Sequence, residues 1–327
     1  MPHLAFVLLL PAFLQVAGAE QVEAVELLQR RLLLSSATPE PFVLEDALPM
    51  TWVHIPKCGS SFLNVLVNMP DFCPGLEPNA VIDEDSLGPS YLLEFIRQCP
   101  SWCDERNFRC FTLAHGCVGD SYATRKGTLV GMFRQPEQRL LSAYHDVTHV
   151  WDFEGPESFA NVTLMDKHEI TLRPRPPLDV FAQLFGGTMA YQIAAQGNPN
   201  RTSSNFRSMG KLSEIPERTM DMAQEAARRV REGFAFVGIT EQWDLSVCLF
   251  HAMFGGPCLA VEFENTRPTL ANKSAEDLYD TAPLQGFKDR VDGLVYQEAL
   301  RVFSKNLQKY NISFEACRRT CFEPAFG

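Results

Sequence analysis

Met50-Thr-Trp-Val-His-Ile-Pro-Lys-Cys-Gly-Ser-Ser-Phe-Leu-Asn-Val-Leu-Val-Asn-Met69 is the stretch on which the fold turns. Met50 to Ile55 is a short apolar run and predicts a strand. Pro56 to Ser61 predicts a loop, and Ser61 to Met69 has helical spacing. Strand, loop, helix is the geometry that turns backbone N–H groups toward an anion. Lys57 stands just ahead of the helix, and Gly59 allows close backbone approach to a ligand. Ser60 and Ser61 add hydroxyls at the helix start. The set suits a phosphate or a sulfate. It is not a Walker A loop, because that motif places its Lys after the second Gly. An ordinary capped helix start has the same composition, so the turn alone does not decide.

Working outward, Phe108 to Ala114 and Thr128 to Phe133 predict further strands. Val130-Gly-Met-Phe-Arg-Gln-Pro-Glu-Gln-Arg-Leu-Leu-Ser-Ala-Tyr144 runs an apolar strand straight into Arg134. A Pro-started helix over Gln135 to Val147 follows, bearing Arg139 and Ser142. Arg134 at the strand end and Ser142 two turns into the helix are placed to converge on one phosphate; the alternative is a surface helix with ordinary charges. Trp151 to Pro177 is a polar insertion. Leu178 to Gln196 and Ile215 to Gly233 predict helices, with Gly233 as the residue just past the second. Phe234 to Ile239 predicts a strand, Gln242 to Phe254 a helix, Leu259 to Phe263 a last strand, and Val291 to Tyr310 the final long helix. Strands alternating with helices imply an α/β fold: a mainly parallel sheet flanked by helices in three layers.

Together the two segments resemble the secretory-pathway carbohydrate sulfotransferases that use 3′-phosphoadenosine 5′-phosphosulfate, nearest the heparan sulfate 2-O/6-O type and divergent from it. His54-Ile-Pro-Lys-Cys-Gly-Ser-Ser61 resembles their 5′-phosphosulfate loop. Phe133-Arg-Gln-Pro-Glu-Gln-Arg-Leu-Leu-Ser-Ala-Tyr144 resembles their 3′-phosphate segment. Phe234-Ala-Phe-Val-Gly-Ile-Thr-Glu-Gln-Trp-Asp-Leu-Ser246 is similar to a later family block, and Asp292 to Phe303 to the closing helix. The likeness spans about Thr51 to Tyr310 and implies the sulfotransferase variant of the P-loop NTPase-like fold.

The resemblance implies roles residue by residue. Lys57 would contact the bridging oxygen and the departing sulfonate. Cys58, Gly59, Ser60, Ser61 and Phe62 would form the donor loop. Arg134, Arg139 and Ser142 would serve the 3′-phosphate segment. His115, in Thr112-Leu-Ala-His-Gly116, matches the place of the family's general base, which takes the proton of the attacking sugar hydroxyl. Sulfuryl transfer then depends on positioning and charge stabilisation, with no metal implied. Two positions depart from the family pattern: Cys58 stands where Thr is usual, and Gln135 where Asp is usual. His54 is expected to pack or hydrogen-bond beneath the sheet, His145 and His149 to lie on a helix surface, and His251 to belong to the core.

The chain has 327 residues, 29 Lys+Arg against 40 Asp+Glu and a formal net charge of −11, which argues against a nucleic-acid partner. Hydrophobic residues at 46% and charged ones at 21% fit a globular protein. Leu4 to Ala19 is apolar, broken by Pro11, and shorter than the ~20 apolar residues a spanning helix needs. It ends in Ala17-Gly18-Ala19 and predicts a signal peptide over 1–19, or a short signal-anchor that would tie the chain to a membrane if retained. Residues 20–49 predict a stem helix, Glu20 to Leu34, and a linker; residues 50–327 form the folded domain. Sequons at Asn161, Asn200, Asn272 and Asn311 agree with the Golgi lumen or secretion.

The 10 cysteines also agree with an oxidising compartment. Cys58 in the donor loop implies an unpaired thiol and, by parity, at least one more. Local spacing suggests Cys248 with Cys258 and Cys317 with Cys321, while Cys73, Cys99, Cys103, Cys110 and Cys117 pair in no order that sequence resolves. Arg173, Arg175, Arg201, Arg207, Arg228, Arg229 and Arg231 could face an anionic acceptor or simply be solvated. The net acidity favours a neutral or weakly charged glycan. The expectation is therefore a glycan O-sulfotransferase. The alternatives are a donor- or glycan-binding homologue without turnover, and a secretory kinase, for which the Asp-Phe-Gly and His-Arg-Asp sets are missing.

Overall fold

The structure, a computed structural model, describes residues 47–70, 72–77, 79–82, 99, 117–145, 177–195, 217–266 and 278–326. By compactness the chain divides into Met1–Glu40 and Pro41–Gly327, and every described residue belongs to the second unit. The expected leader, stem helix, Phe108-to-Ala114 strand and polar insertion over 151–176 lie outside the described residues, as do His115, His149, Arg173, Arg175, Arg201 and Arg207.

Among the described residues, three parallel strands form one sheet in the order β1 (Thr51–Trp52), β2 (Leu129–Phe133), β3 (Phe234–Ile239). The fold is mixed α/β, as the alternating pattern predicts. Every residue of β2 is buried, which is why Leu-Val-Gly-Met-Phe reads as a continuous apolar run. The register of β2 on β3 slips once, between Leu129 and Val130, where the β3 partner moves from Phe234 to Phe236. β1 is shorter than the apolar run suggests. Val53 still donates to the carbonyl of Val130, but the Ile55 carbonyl is taken by Cys58 N–H, and Pro56 has no N–H to give. The chain leaves the sheet there.

Helices surround this sheet. In chain order they are α1 (Leu63–Val67), α2 (Tyr122–Arg125), α3 (Pro136–His145), α4 (Leu178–Phe185), α5 (Thr188–Ala194), α6 (Met220–Gly233), α7 (Trp243–Phe254), α8 (Arg290–Lys309), α9 (Phe314–Cys317) and α10 (Glu323–Phe326). α7 and α8 lie against β3, and α6 packs on α5 and α8. Thr219 caps α6 through Met222 N–H, and Asp289 caps α8 through Asp292 N–H.

Several boundaries differ from the sequence expectation for identifiable reasons. The helix expected over Leu178 to Gln196 is two helices, broken where Gly187 takes φ +71 and a Cβ would sit 2.9 Å from Arg218. Gly233 does not end α6 as a left-handed cap. It is the last helical residue, flows directly into β3, and is small because a Cβ would meet the Tyr122 ring at 2.4 Å. Leu259 to Phe263 is not a strand: Ala260–Phe263 form a 3-10 turn, closed by the Glu262 carboxylate accepting from Leu259 N–H.

The cysteine pairing is also corrected. Cys248 bonds Cys317 and Cys258 bonds Cys321, so the expected local pairs do not form. Cys317 and Cys321 lie one helical turn apart on the tail after α8, and both face α7 and the segment beyond it. The bridges therefore tie the tail down instead of closing two small local loops. Cys73 bonds Cys99, which resolves part of the second cluster, and Cys58 and Cys117 are thiols.

The main core gathers Trp52, Phe62, Phe133, Phe236 and Phe250 around the sheet. Phe62 stacks on Phe236 at 5.4 Å and meets Phe250 edge-on at 5.4 Å, which anchors the start of α1. A smaller core of Leu140, Leu141, Phe181, Phe185 and Tyr279 holds α3 to α4.

Candidate functional site

The ends of β1, β2 and β3 converge, and each continues into one of the segments singled out from sequence. After β1 the chain makes a tight loop with Lys57 at φ +62 and Gly59 at φ +83. A left-handed backbone at a non-glycine residue costs about 1–3 kcal/mol and persists only where its surroundings fix it. Here they do. A Cβ on Gly59 would meet the Trp243 ring at 2.6 Å, so the loop lies flat against that indole. The indole is itself fixed, its N–H donating to the Glu262 carbonyl at 2.7 Å.

The loop passes directly into a 3-10 turn, Ser60–Phe62, and then α1. Gly59 stands at the N-cap of this turn and so provides no side-chain cap, and Phe62 N–H donates to the Gly59 carbonyl at 3.0 Å. His54 stacks on Trp52 with ring centroids 4.4 Å apart and its Nε2 meets the Ser60 hydroxyl at 2.9 Å. The expectation of a packing histidine holds, with the addition that it orients a loop hydroxyl. Cys58 is wholly buried beneath the loop, and desolvation pushes its thiol up to about 12, against the pull of Arg139 and Arg134.

After β2 comes Arg134, half-buried, which reaches across to the first loop. Its Nη1 donates to the Lys57 carbonyl at 3.3 Å, its guanidinium lies 5.7 Å from the Tyr279 ring centre, and its Nε is buried with no acceptor among the described residues. Gln135 then begins α3. Its side-chain oxygen accepts from Gln138 N–H at 2.7 Å, the bond an Asp would make at the same N-cap.

After β3, the turn Thr240–Gln242 closes the third side. The Thr240 hydroxyl is buried beside Gly59 with no partner among the described residues. Glu241 accepts from Gln135 N–H at 2.9 Å through one oxygen and from the Tyr296 hydroxyl at 3.2 Å through the other.

The structure therefore brings together Lys57, Cys58, Gly59, Ser60, Ser61 and Arg134. Three of the residues expected at the donor site, Arg139, Ser142 and Phe62, are buried. Arg139 is not on a surface helix: it is fully buried, ion-paired to Asp292 at 2.6 Å, and stacked 4.5 Å from the Phe185 ring centre. Asp292 also accepts from Met189 and Ala190 N–H, and burial with Asp289 alongside pushes its carboxyl up to about 7. Ser142 is nearly fully buried in α3, and Phe62 belongs to the core.

Of the other basic residues, Arg229 donates to the Gly119 and Ile193 carbonyls. Arg228 pairs with Glu225 and Glu232, and Arg231 lies 3.6 Å from Glu298, so this helix presents no free basic face. His145 stacks on Tyr279. His251, buried as expected, meets Glu262 at 2.8 Å. Ligand atoms of His251, Cys258 and Glu262 lie within 4.8 Å of one another, but the Cys258 sulfur is committed to Cys321.

Sequence reasoning gave no role to Thr240, Glu241, Trp243, Tyr296 or Asp292. Glu241 had a legible signal, an acidic residue two positions after an apolar strand. Asp292 had none, since its partner lies 153 positions away. The family models, the curated proteins and the solved structures compared with this chain gave no match.

Proposed function

We propose that the chain is a carbohydrate O-sulfotransferase of the secretory pathway, in the sulfotransferase variant of the P-loop NTPase-like fold. It would take 3′-phosphoadenosine 5′-phosphosulfate as co-substrate and a glycan hydroxyl as acceptor. The observation that carries this reading is the junction of the first two segments: Arg134, at the end of the central strand, bonds the Lys57 carbonyl of the left-handed loop. A ligand at the carboxyl ends of parallel strands sits where open α/β sheets bind them. The loop's backbone N–H groups and hydroxyls suit the 5′-phosphosulfate, and Arg134 suits the 3′-phosphate.

In the proposed reaction His115 takes the proton of the acceptor hydroxyl. The oxygen attacks sulfur in line, the bond from sulfur to the bridging oxygen breaks, and 3′-phosphoadenosine 5′-phosphate leaves. Lys57 balances the charge that grows on the bridging oxygen. In this reading Arg139, ion-paired to Asp292, acts by positioning the segment that carries Arg134.

A second reading, a donor-binding homologue without turnover, draws on two observations: Ser142 is buried, and Arg139 is engaged with Asp292. Transfer of radiolabelled sulfate to a glycan panel separates the two. Wild type should transfer, with Lys57→Ala and His115→Ala reduced by about 100-fold or more. Donor bound without transfer leaves the second reading, and undiminished transfer by His115→Ala removes His115 as base.

A further inference from the structure

We infer that Glu241 is a positioning residue for the donor site, holding the three strand ends in the one arrangement that aims Arg134. This rests on the proposed function and adds to it a residue outside both donor-binding segments.

The geometry is specific. Glu241 is the second residue after β3. One carboxylate oxygen takes the N–H of Gln135, the residue directly after Arg134, at 2.9 Å. The other takes the Tyr296 hydroxyl from α8, at 3.2 Å. Arg134 in turn bonds the Lys57 carbonyl of the loop that follows β1. A single carboxylate thereby links the end of β3 to the end of β2, through it to the β1 loop, and all three to α8. A backbone N–H bonded to a carboxylate is a strong, directional contact. It sets the peptide from which Arg134 departs, and so the side chain's origin.

The link extends into a wider network. Gln135 also bonds Glu137, whose other oxygen accepts from Asp289 N–H at the start of α8. Asp289 takes Gly187 N–H at the start of α5. Glu241 is the member at the strand ends themselves. Arg134 Nε has no acceptor among the described residues, so its direction is held by the backbone at its base, the Lys57 contact and the Tyr279 ring.

A role through position differs measurably from a role through charge. Glu241→Gln keeps length and an acceptor for Gln135 N–H. Glu241→Asp keeps the charge but is one methylene too short to reach both partners. Full-length wild type and both variants are titrated with adenosine 3′,5′-bisphosphate, and donor KM and kcat are measured alongside.

Glu241→Asp should weaken bisphosphate binding and raise donor KM about tenfold, the loss of one hydrogen bond to a charged group, with kcat changed far less. Glu241→Gln should stay within about threefold of wild type. Wild-type affinity in Glu241→Asp overturns the inference. So does equal impairment of Glu241→Gln, which would make the charge itself the determinant. If wild type binds no bisphosphate, the proposed function fails and the inference with it, an outcome distinct from either of those.

Discussion

Cys58, read from sequence as an unpaired thiol in the loop after β1, is one in the fold, and it is buried with desolvation as the dominant influence. Its thiol rises from 9.0 to about 12, so the fold favours the neutral form. That contribution is complete below pH 9, the unfolded value, and is lost as pH rises through about 12. The stability difference between wild type and Cys58→Ala should therefore shrink above pH 9 in denaturant titrations. Native Cys58 should also resist alkylation at pH 8 while Cys117, partly exposed, reacts. Rapid native alkylation of Cys58 would place it on the surface instead.

Arg139 gives the complementary case. Its spacing on an amphipathic helix suggested either a ligand or a solvated charge, because the partner is remote in sequence. Removing one member of a buried ion pair costs about 3–5 kcal/mol. Arg139→Leu should lower unfolding free energy by that order, and any surviving folded fraction should bind bisphosphate nucleotide nearly as wild type does. A selective loss of nucleotide affinity at unchanged stability would return Arg139 to the donor site.

At the scale of elements, the strand cores and long helices were legible and their ends were not. β2, α7 and α8 follow from apolar runs and helical spacing that local burial enforces. Two of the ends were fixed by distant partners, Gly233 by the Tyr122 ring and the α4–α5 break by Arg218 and Asp289, while the Ala260–Phe263 turn is closed locally by the Glu262 carboxylate. The disulfides repeat the lesson. Closeness in sequence favoured local pairs, while the folded tail brings Cys317 and Cys321 against α7 and its following loop. Each bridge spans 69 or 63 residues, and loops of that length constrain the unfolded chain by about 4 kcal/mol each. A non-reducing peptide map should recover Cys248–Cys317 and Cys258–Cys321. Recovery of Cys248–Cys258 with Cys317–Cys321 would contradict the packing of the tail.

At the scale of the whole molecule, an acidic chain of net charge −11 brings the Arg134 guanidinium against the Lys57 backbone at the strand ends, with the Glu241 carboxylate alongside. In the proposed function, long-range repulsion would act on a polyanionic acceptor, while direct contacts would outweigh it for a small anion bound there. The candidate site was legible in outline because its two segments are continuous in sequence and end on the same sheet edge. Glu241, Tyr296 and Trp243, which bind those segments together, became visible only once β3 and α8 were placed beside them.

The central claim is that these strand ends form a site for a 3′,5′-bisphosphorylated adenosine. Calorimetric titration of the folded chain with adenosine 3′,5′-bisphosphate, against adenosine 5′-monophosphate and ATP, tests it most directly. The account predicts binding of the bisphosphate at least about tenfold tighter than of the monophosphate, with that preference abolished in Arg134→Ala. Equal affinity for all three nucleotides, or a bisphosphate preference that survives Arg134→Ala, would contradict it.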